Sequence, residues 1–203
     1  SGARGVGKTT TARVFAKALN CENGPSPEPC DTCINCEEIR MGRSMDVTEV
    51  DGASNNGVAE VRELIEKVKY SATSCRYKVY VIDEVHMLSK SAFNALLKTL
   101  EEPPPKVVFI FATTELIKIP ETILSRCQCF EYKALSREQV AEQLGLICKE
   151  EGISVDPTSL RQIAKSGGGS MRDSQSFLDQ AIAFCGSEIN SEAVETVLGA
   201  VSQ

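Results

Sequence analysis

The stretch Gly2-Ala3-Arg4-Gly5-Val6-Gly7-Lys8-Thr9 fits the pattern G-x-x-x-x-G-K-[ST] at every position. It restricts the fold more tightly than any other stretch of the 203 residues. Such a loop leads from a buried strand into a helix. Its backbone N–H groups must wrap a phosphate while the helix N-terminus points its positive end at the same place. The strand that normally comes first would lie before Ser1, so the chain reads as truncated at its N-terminus. A helix is expected from about Lys8 to Leu19, with Ala12, Phe15, Ala16 and Leu19 on one face. Lys8 is placed to reach the β and γ phosphates, and the Thr9 hydroxyl to bind Mg²⁺. The expected nucleotide-binding set is Gly2, Ala3, Arg4, Gly5, Val6, Gly7, Lys8, Thr9 and Thr10. A chance glycine-rich turn is the competing reading, and the helical pattern directly after Lys8 weighs against it.

Downstream, strand-like and helix-like segments alternate. Met45–Asp51, Tyr77–Asp83, Lys106–Thr114 and Cys127–Tyr132 read as strands. Gly57–Tyr70 reads as a helix with a stripe of Val58, Val61, Ile65 and Val68. Ser89–Glu102 reads as a helix stopped by Pro103-Pro104-Pro105, and Pro120 starts a short one. This alternation predicts a parallel sheet flanked by helices. After Lys133 come four helical segments with no strand between them, each opened by a Ser, Asp or Asn suited to capping. The expected organisation is an α/β P-loop core over residues 1–132 and a small all-helical lid over 133–203.

A phosphate cradle alone does not hydrolyse anything. Asp83 ends a hydrophobic strand, where a carboxylate can hold Mg²⁺ through water, and Glu84 beside it can orient and deprotonate an attacking water. "DE" after a strand is weak by itself and strong when paired with the phosphate loop. No N-K-x-D or T-K-x-D segment is present to read guanine, which disfavours a GTPase.

Four of the nine cysteines fall at Cys21, Cys30, Cys33 and Cys36, spaced C-x8-C-x2-C-x2-C. Four thiolates suit tetrahedral Zn²⁺ in a closed structural site. The surrounding loop is polar, holds Gly24, Pro25, Pro27 and Pro29, and lacks apolar residues for a core, so a metal would fold it. An iron–sulfur cluster is a second possibility, although Arg40 and Met41 stand where the ferredoxin pattern places its next Cys and Pro. Four unliganded thiols are a third, and they would be oxidation-prone. An odd cysteine total does not suit a secreted disulfide scaffold. Cys75, Cys127, Cys129, Cys148 and Cys185 read mostly as buried free thiols, which fits a reducing cytoplasm. No apolar run approaches the length of a membrane span. The formal net charge of −6 argues that any contact with DNA is made through a local patch within an assembly.

Taken together, "GARGVGKTT", "NCE", "VIDEVHMLSKSAFNALLKTLEEPP", "FIFATTE", "ILSRC" and "GSMRDSQSFLDQAI" resemble the AAA+ ATPases. More narrowly, they resemble the clamp-loader gamma/tau family of bacterial DNA polymerase III, over essentially the whole chain. The resemblance implies an ATP hydrolase that is a component of the polymerase III holoenzyme but not its polymerising subunit. It would use ATP binding and hydrolysis to load the sliding clamp onto primed DNA. Its partners would be delta, delta-prime, further gamma/tau copies, the sliding clamp and primer–template DNA, in the bacterial cytoplasm at the replisome. Thr114 matches sensor 1, where many relatives carry Asn. Arg126 matches the arginine finger that acts on a neighbouring subunit's ATP, and Arg172 matches sensor 2 on the lid. Cys21, Cys30, Cys33 and Cys36 match zinc ligands. His86, the single histidine, reads as structural. Set against this are another AAA+ DNA-remodelling ATPase such as a branch-migration helicase, a non-hydrolysing scaffold subunit like delta-prime, and a zinc-dependent DNA-binding module. The intact Lys8, Thr9, Asp83 and Glu84 disfavour the scaffold, and the absence of any Lys or Arg between Cys21 and Cys36 disfavours the DNA-binding module.

Overall fold

A computed structural model describes residues 1–186 and 188–201. The final residues of the expected lid range, and Ser187 within it, lie outside the described residues. The chain divides into two compact units, one formed by Ser1 and Lys8–Glu131, the other by Gly2–Gly7 and Tyr132 onward.

In the first unit the elements run α1 (Lys8–Asn20), α2 (Ile34–Arg40), β1 (Val47–Asp51), α3 (Val58–Val68), β2 (Lys78–Asp83), α4 (Lys90–Glu101), β3 (Val107–Phe111) and α5 (Glu121–Leu124). The strands pair β1-β2-β3, all parallel, with Val47 opposite Val79 and Val79 opposite Val108. Parallel neighbours need crossovers, and α3 and α4 supply them. Side chains alternate across β2: Val79 and Val81 face α1 and α2, while Tyr80 and Ile82 face α3 and α4. Both faces are therefore covered, which explains a strand apolar at nearly every position.

Helix boundaries follow local chemistry. The Ser89 hydroxyl accepts from Ala92 N–H at the start of α4. The helix ends before Glu102, whose backbone (φ −129°, ψ 71°) leaves the helical region that the following proline disfavours. In α1 the buried stripe is Ala12, Ala16 and Asn20, at i, i+4 and i+8, so the small alanines meet the sheet. Phe15, expected on that face, is exposed because it lies one position off the stripe. In α3 the buried residues are Val61, Leu64 and Val68, and Ile65 is only half-buried. Helix α2, which holds Cys36, was not expected: its seven residues are too few for a periodic signal.

Cys127–Tyr132 is not a strand. A strand needs a continuous ladder partner. In the first unit Phe130 O meets the Ser1 amino group at 2.7 Å, and in the second Tyr132 makes one parallel bridge with Gly2. Two isolated contacts do not make a ladder.

The second unit holds α6 (Arg137–Glu150), β4 (Ser154–Val155), α7 (Pro157–Ser166), α8 (Met171–Cys185), β5 (Glu188–Ile189) and α9 (Ser191–Val201). Its core is Val140, Leu144, Cys148, Ile163, Leu178, Ala181, Ile189 and Val194. The caps are those expected: a capping box of Ser136 and Gln139, then Asp156 and Ser170. The expectation of helices alone missed one detail. The two-residue strands β4 and β5 pair in parallel, too short to register as a pattern.

All nine cysteines are free. Cys148 is buried and Cys75, Cys127 and Cys185 are half-buried, whereas Cys129 is exposed, against the expectation for most of them. Burial pushes the Cys75, Cys127 and Cys148 thiols up. No helix among the described residues is long and apolar enough to cross a membrane.

Candidate functional site

Lys8 and Thr9 open α1, and α1 is tied to β1 by a two-pronged pair in which Arg13 donates to Glu49 at 2.9 and 3.0 Å. That pairing and the Ala12/Ala16 contact fix where the helix starts. The Thr9 hydroxyl donates to Asp83 Oδ2 at 2.7 Å, so the two residues expected to share a cation already touch. Asp83 is the last residue of β2, and its other oxygen accepts from Glu84 N–H at 2.9 Å. Parallel register sets Asp51, the end of β1, opposite Asp83. The ends of parallel strands are where such folds bind ligands.

Glu84 turns off the strand in the left-handed region (φ 45°, ψ 44°). A non-glycine residue there is strained, and such strain collects at functional positions. Its Oε2 accepts from the Thr114 hydroxyl at 3.0 Å and from Thr114 N–H at 3.3 Å. Thr114 follows the Ala112-Thr113 pair beyond β3, and Ala112 O accepts from Val85 N–H at 3.0 Å, which locks the two strand ends together. The structure thus brings Thr9, Asp83, Glu84 and Thr114 into one connected set.

Gly2–Gly7 belong to the second unit. Gly5 and Gly7 both take positive φ (71° and 93°), which side chains disfavour. A Cβ on Gly5 would stand 2.1 Å from Ser170 Oγ and 3.2 Å from Arg172 Cβ. Gly5 O accepts from Met171 N–H at 2.9 Å, and Arg4 pairs with Asp173 at 3.2 Å. The loop therefore packs against the first turn of α8. Asp173, next to Arg172 in the chain, pairs with Arg4, and the Arg172 side chain is exposed. Thr10 is exposed on α1.

Arg126 follows α5 and is held within the first unit. It donates to Glu101 Oε1 at 2.6 Å, Thr122 O at 2.7 Å and Ser125 Oγ at 3.1 Å. Its side chain is one-third exposed.

The four clustered cysteine sulfurs lie within 4.8 Å of one another. A tetrahedral zinc with Zn–S near 2.3 Å sets its sulfurs about 3.8 Å apart, so the donors fit it. Cys33 caps α2 and Cys36 sits in its first turn. Cys21 Sγ accepts from Cys30 N–H and Cys30 Sγ from Cys33 N–H, both at 3.4 Å, the outer-shell contacts that orient thiolate ligands. Their surroundings are unequal. Hydrogen bonds from Thr32 lower the Cys30 thiol to about 6, and burial pushes Cys36 up to about 12. The module is anchored to α1: Lys17 pairs with Asp31, and Asn35 donates to Asn20 O at 3.0 Å. The metal-like cluster is separate from the Thr9–Asp83–Glu84 set in sequence and in donor chemistry.

A family model described as "DNA polymerase III, delta subunit" matches residues 1–136, and one described as "DNA polymerase III clamp loader subunit, ATPase lid domain" matches 139–187. The chain belongs to the gamma/tau clamp-loader family of DNA polymerase III. It is 52% identical over its whole length to DNA polymerase III subunit tau of Bacillus subtilis, covering 36% of that protein. It is 51% identical over 98% of its length to the Escherichia coli subunit tau, covering 31% of it. The chain thus spans about a third of the length of these relatives. Among solved structures it resembles Thermotoga maritima RuvB, a Holliday junction branch migration motor, with a TM-score of 0.70 at 15% identity over 98% of this chain and 60% of that one. That likeness shows the AAA+ fold alone. Within this gamma/tau family member, sequence reading had found every residue of the Thr9–Asp83–Glu84–Thr114 set. The sequence reads His86 as structural and does not place His86, Thr113 or Glu115 beside them, nor pair Arg4 with Asp173. His86 and Glu115 stood inside quoted motifs, but no spacing rule says that they meet.

Proposed function

We propose that this chain is an ATPase motor subunit of a bacterial clamp loader that uses ATP to place a sliding clamp on primed DNA. The observation that carries the reading is the 2.7 Å contact of Thr9 with Asp83, next to a Glu84 carboxylate held by Thr114, in a gamma/tau family chain. Residues 2–10 cradle the triphosphate, and Lys8 neutralises its β and γ oxygens. Thr9 and Asp83 are the residues that hold Mg²⁺, which when bound offsets the phosphate charge. Glu84 orients the attacking water and takes its proton. Thr114 keeps that carboxylate, or the water, in place. Arg126 reaches a neighbouring subunit's nucleotide and stabilises charge that develops during transfer. Arg172 senses the chain's own nucleotide from the lid. Cys21, Cys30, Cys33 and Cys36 hold zinc as a structural site that takes no part in hydrolysis. The other clamp-loader subunits, the clamp and primer–template DNA are the partners, in the bacterial cytoplasm.

ATP turnover of the full-length protein tests this, measured alone and with partner subunits, clamp and primed DNA. Stimulation by clamp plus DNA, abolished by Lys8→Ala and by Arg126→Ala, is the expected result. Turnover in the assembly that does not change on Arg126→Ala rules out action in trans, and turnover untouched by Lys8→Ala rules out the site itself.

A further inference from the structure

The hydrolysis scheme leaves the chain's single histidine unused. His86 lies on the 3-10 turn Val85–Met87, directly after Glu84, and its side chain is only 6% exposed. Its Nδ1 is 3.0 Å from Thr113 Oγ1 and 3.3 Å from Glu84 Oε2. Its Nε2 is 3.3 Å from Glu115 Oε1. Glu115 is fixed in turn: its N–H donates to Thr113 Oγ1 at 3.0 Å, and its carboxylate accepts from Lys118 at 2.8 Å. The Thr113 side of this arrangement is buried. Of these contacts the one to Thr113 Oγ1 is the hydrogen bond, and the two carboxylates face opposite edges of the ring at 3.3 Å.

Glu84 Oε2 is thus approached by the Thr114 hydroxyl and N–H and by the His86 ring. A carboxylate on a strained left-handed residue needs such fixing, because neither rotamer preference nor burial holds it: its side chain is 35% exposed. The imidazole is rigid, wedged against Thr113, and braced at its far edge by Glu115.

We propose that His86 is a positioning residue for Glu84, with Glu115 as its brace. The Glu84–His86–Glu115 row sets where the base's carboxylate stands when water is attacked. This deepens the ATPase reading and rests on it. A residue that acts only through the orientation of the base changes kcat and leaves nucleotide binding alone.

Two readouts test it. The imidazole signals in long-range ¹H–¹⁵N NMR, identified by their loss in His86→Asn, should move on Glu84→Gln and again on Glu115→Gln. Steady-state hydrolysis by the assembled complex, with nucleotide affinity measured alongside, gives the second. His86→Ala should lower kcat about tenfold to a hundredfold, the size of one lost charge-assisted contact in the transition state, with nucleotide Kd within about twofold. His86→Asn, whose amide nitrogen stands where Nδ1 stands, should recover most of that loss. Glu115→Gln should give a smaller fall in kcat of the same kind, and it carries the test if His86→Ala does not fold. Imidazole signals indifferent to Glu84→Gln, or a His86→Ala kcat equal to the parent's, overturn the proposal while an active parent complex leaves the ATPase reading standing. A loss of nucleotide affinity with kcat intact overturns it too. An inactive parent complex removes both.

Discussion

Asp46 stands just before β1, almost completely buried, and was invisible to motif reading. Its Oδ1 accepts from Thr73 N–H at 2.8 Å. Its Oδ2 accepts from Ser74 N–H at 2.8 Å, Cys75 N–H at 2.9 Å, Thr73 N–H at 3.0 Å and the Ser74 hydroxyl at 3.3 Å. Its carbonyl accepts from Val79 N–H at 2.8 Å, which sets the β1–β2 register that places Asp51 beside Asp83. Asp46→Asn can keep an oxygen at the Oδ2 position, and its NH₂ then confronts Thr73 N–H, donor against donor. Thr73 N–H keeps only the longer half of its shared bond and faces a donor, which costs about 1–2 kcal/mol, and the remaining bonds drop from charged to neutral strength, about 1 kcal/mol each. An amide is cheaper to bury than a carboxylate, which offsets part of this and leaves about 2–4 kcal/mol at neutral pH. Hydrogen exchange at the β2 amides reads this for the first unit alone. Burial works to raise the Asp46 pKa, but the N–H groups of Ser74, Cys75 and Thr73 outweigh it and hold the carboxyl below its usual value. A depressed folded-state pKa gives stability that is complete above the unfolded value, about 3.9, and is lost as pH falls through the folded one. Urea unfolding of parent and variant should therefore differ by a constant amount from about pH 6 to 8 and converge in acid. A gap below about 0.5 kcal/mol, or one that persists unchanged at about pH 2, refutes the assignment of the carboxylate as the anchor.

Gly5→Ala should weaken ATP binding about tenfold or more in a fluorescent-nucleotide titration, because its Cβ would meet Ser170 Oγ at 2.1 Å and its φ is +71°. Cys33→Ser should reduce bound zinc from one equivalent to near zero by elemental analysis and make the loop from Cys21 to Cys36 the first site of proteolytic cleavage. Glu101→Gln removes the partner of a part-exposed Arg126, so thermal unfolding should register less than about 1 kcal/mol. Its effect should appear instead in the turnover of the assembled complex, where the position of Arg126 matters.

Sequence alone determined the parts whose chemistry is local. The pattern G-x-x-x-x-G-K-[ST] calls for glycines that tolerate positive φ and for a helix start at fixed spacing; Gly5 and Gly7 take positive φ, and α1 opens at Lys8. Covered parallel strands carry unbroken apolar runs, so β2 and β3 could be read directly, although β3 is only half-buried along its length. Four cysteines two and eight residues apart could be read as one donor set, because the short loop leaves them nowhere else to go. The tertiary structure alone decided what depends on contacts distant in sequence. Cys127–Tyr132 has strand-like residues, but strands are made by partners, and two isolated contacts do not supply one. Phe15 fits an apolar face, yet the crossing of α1 over the sheet favours the alanine stripe beside it. Asp173 is adjacent to Arg172 in the chain but pairs with Arg4, since neighbours on a helix point apart. His86 was legible only as a residue type. Its meeting with Glu84, Thr113 and Glu115 arises because parallel pairing brings the ends of β2 and β3 together, and no pattern within either segment encodes that.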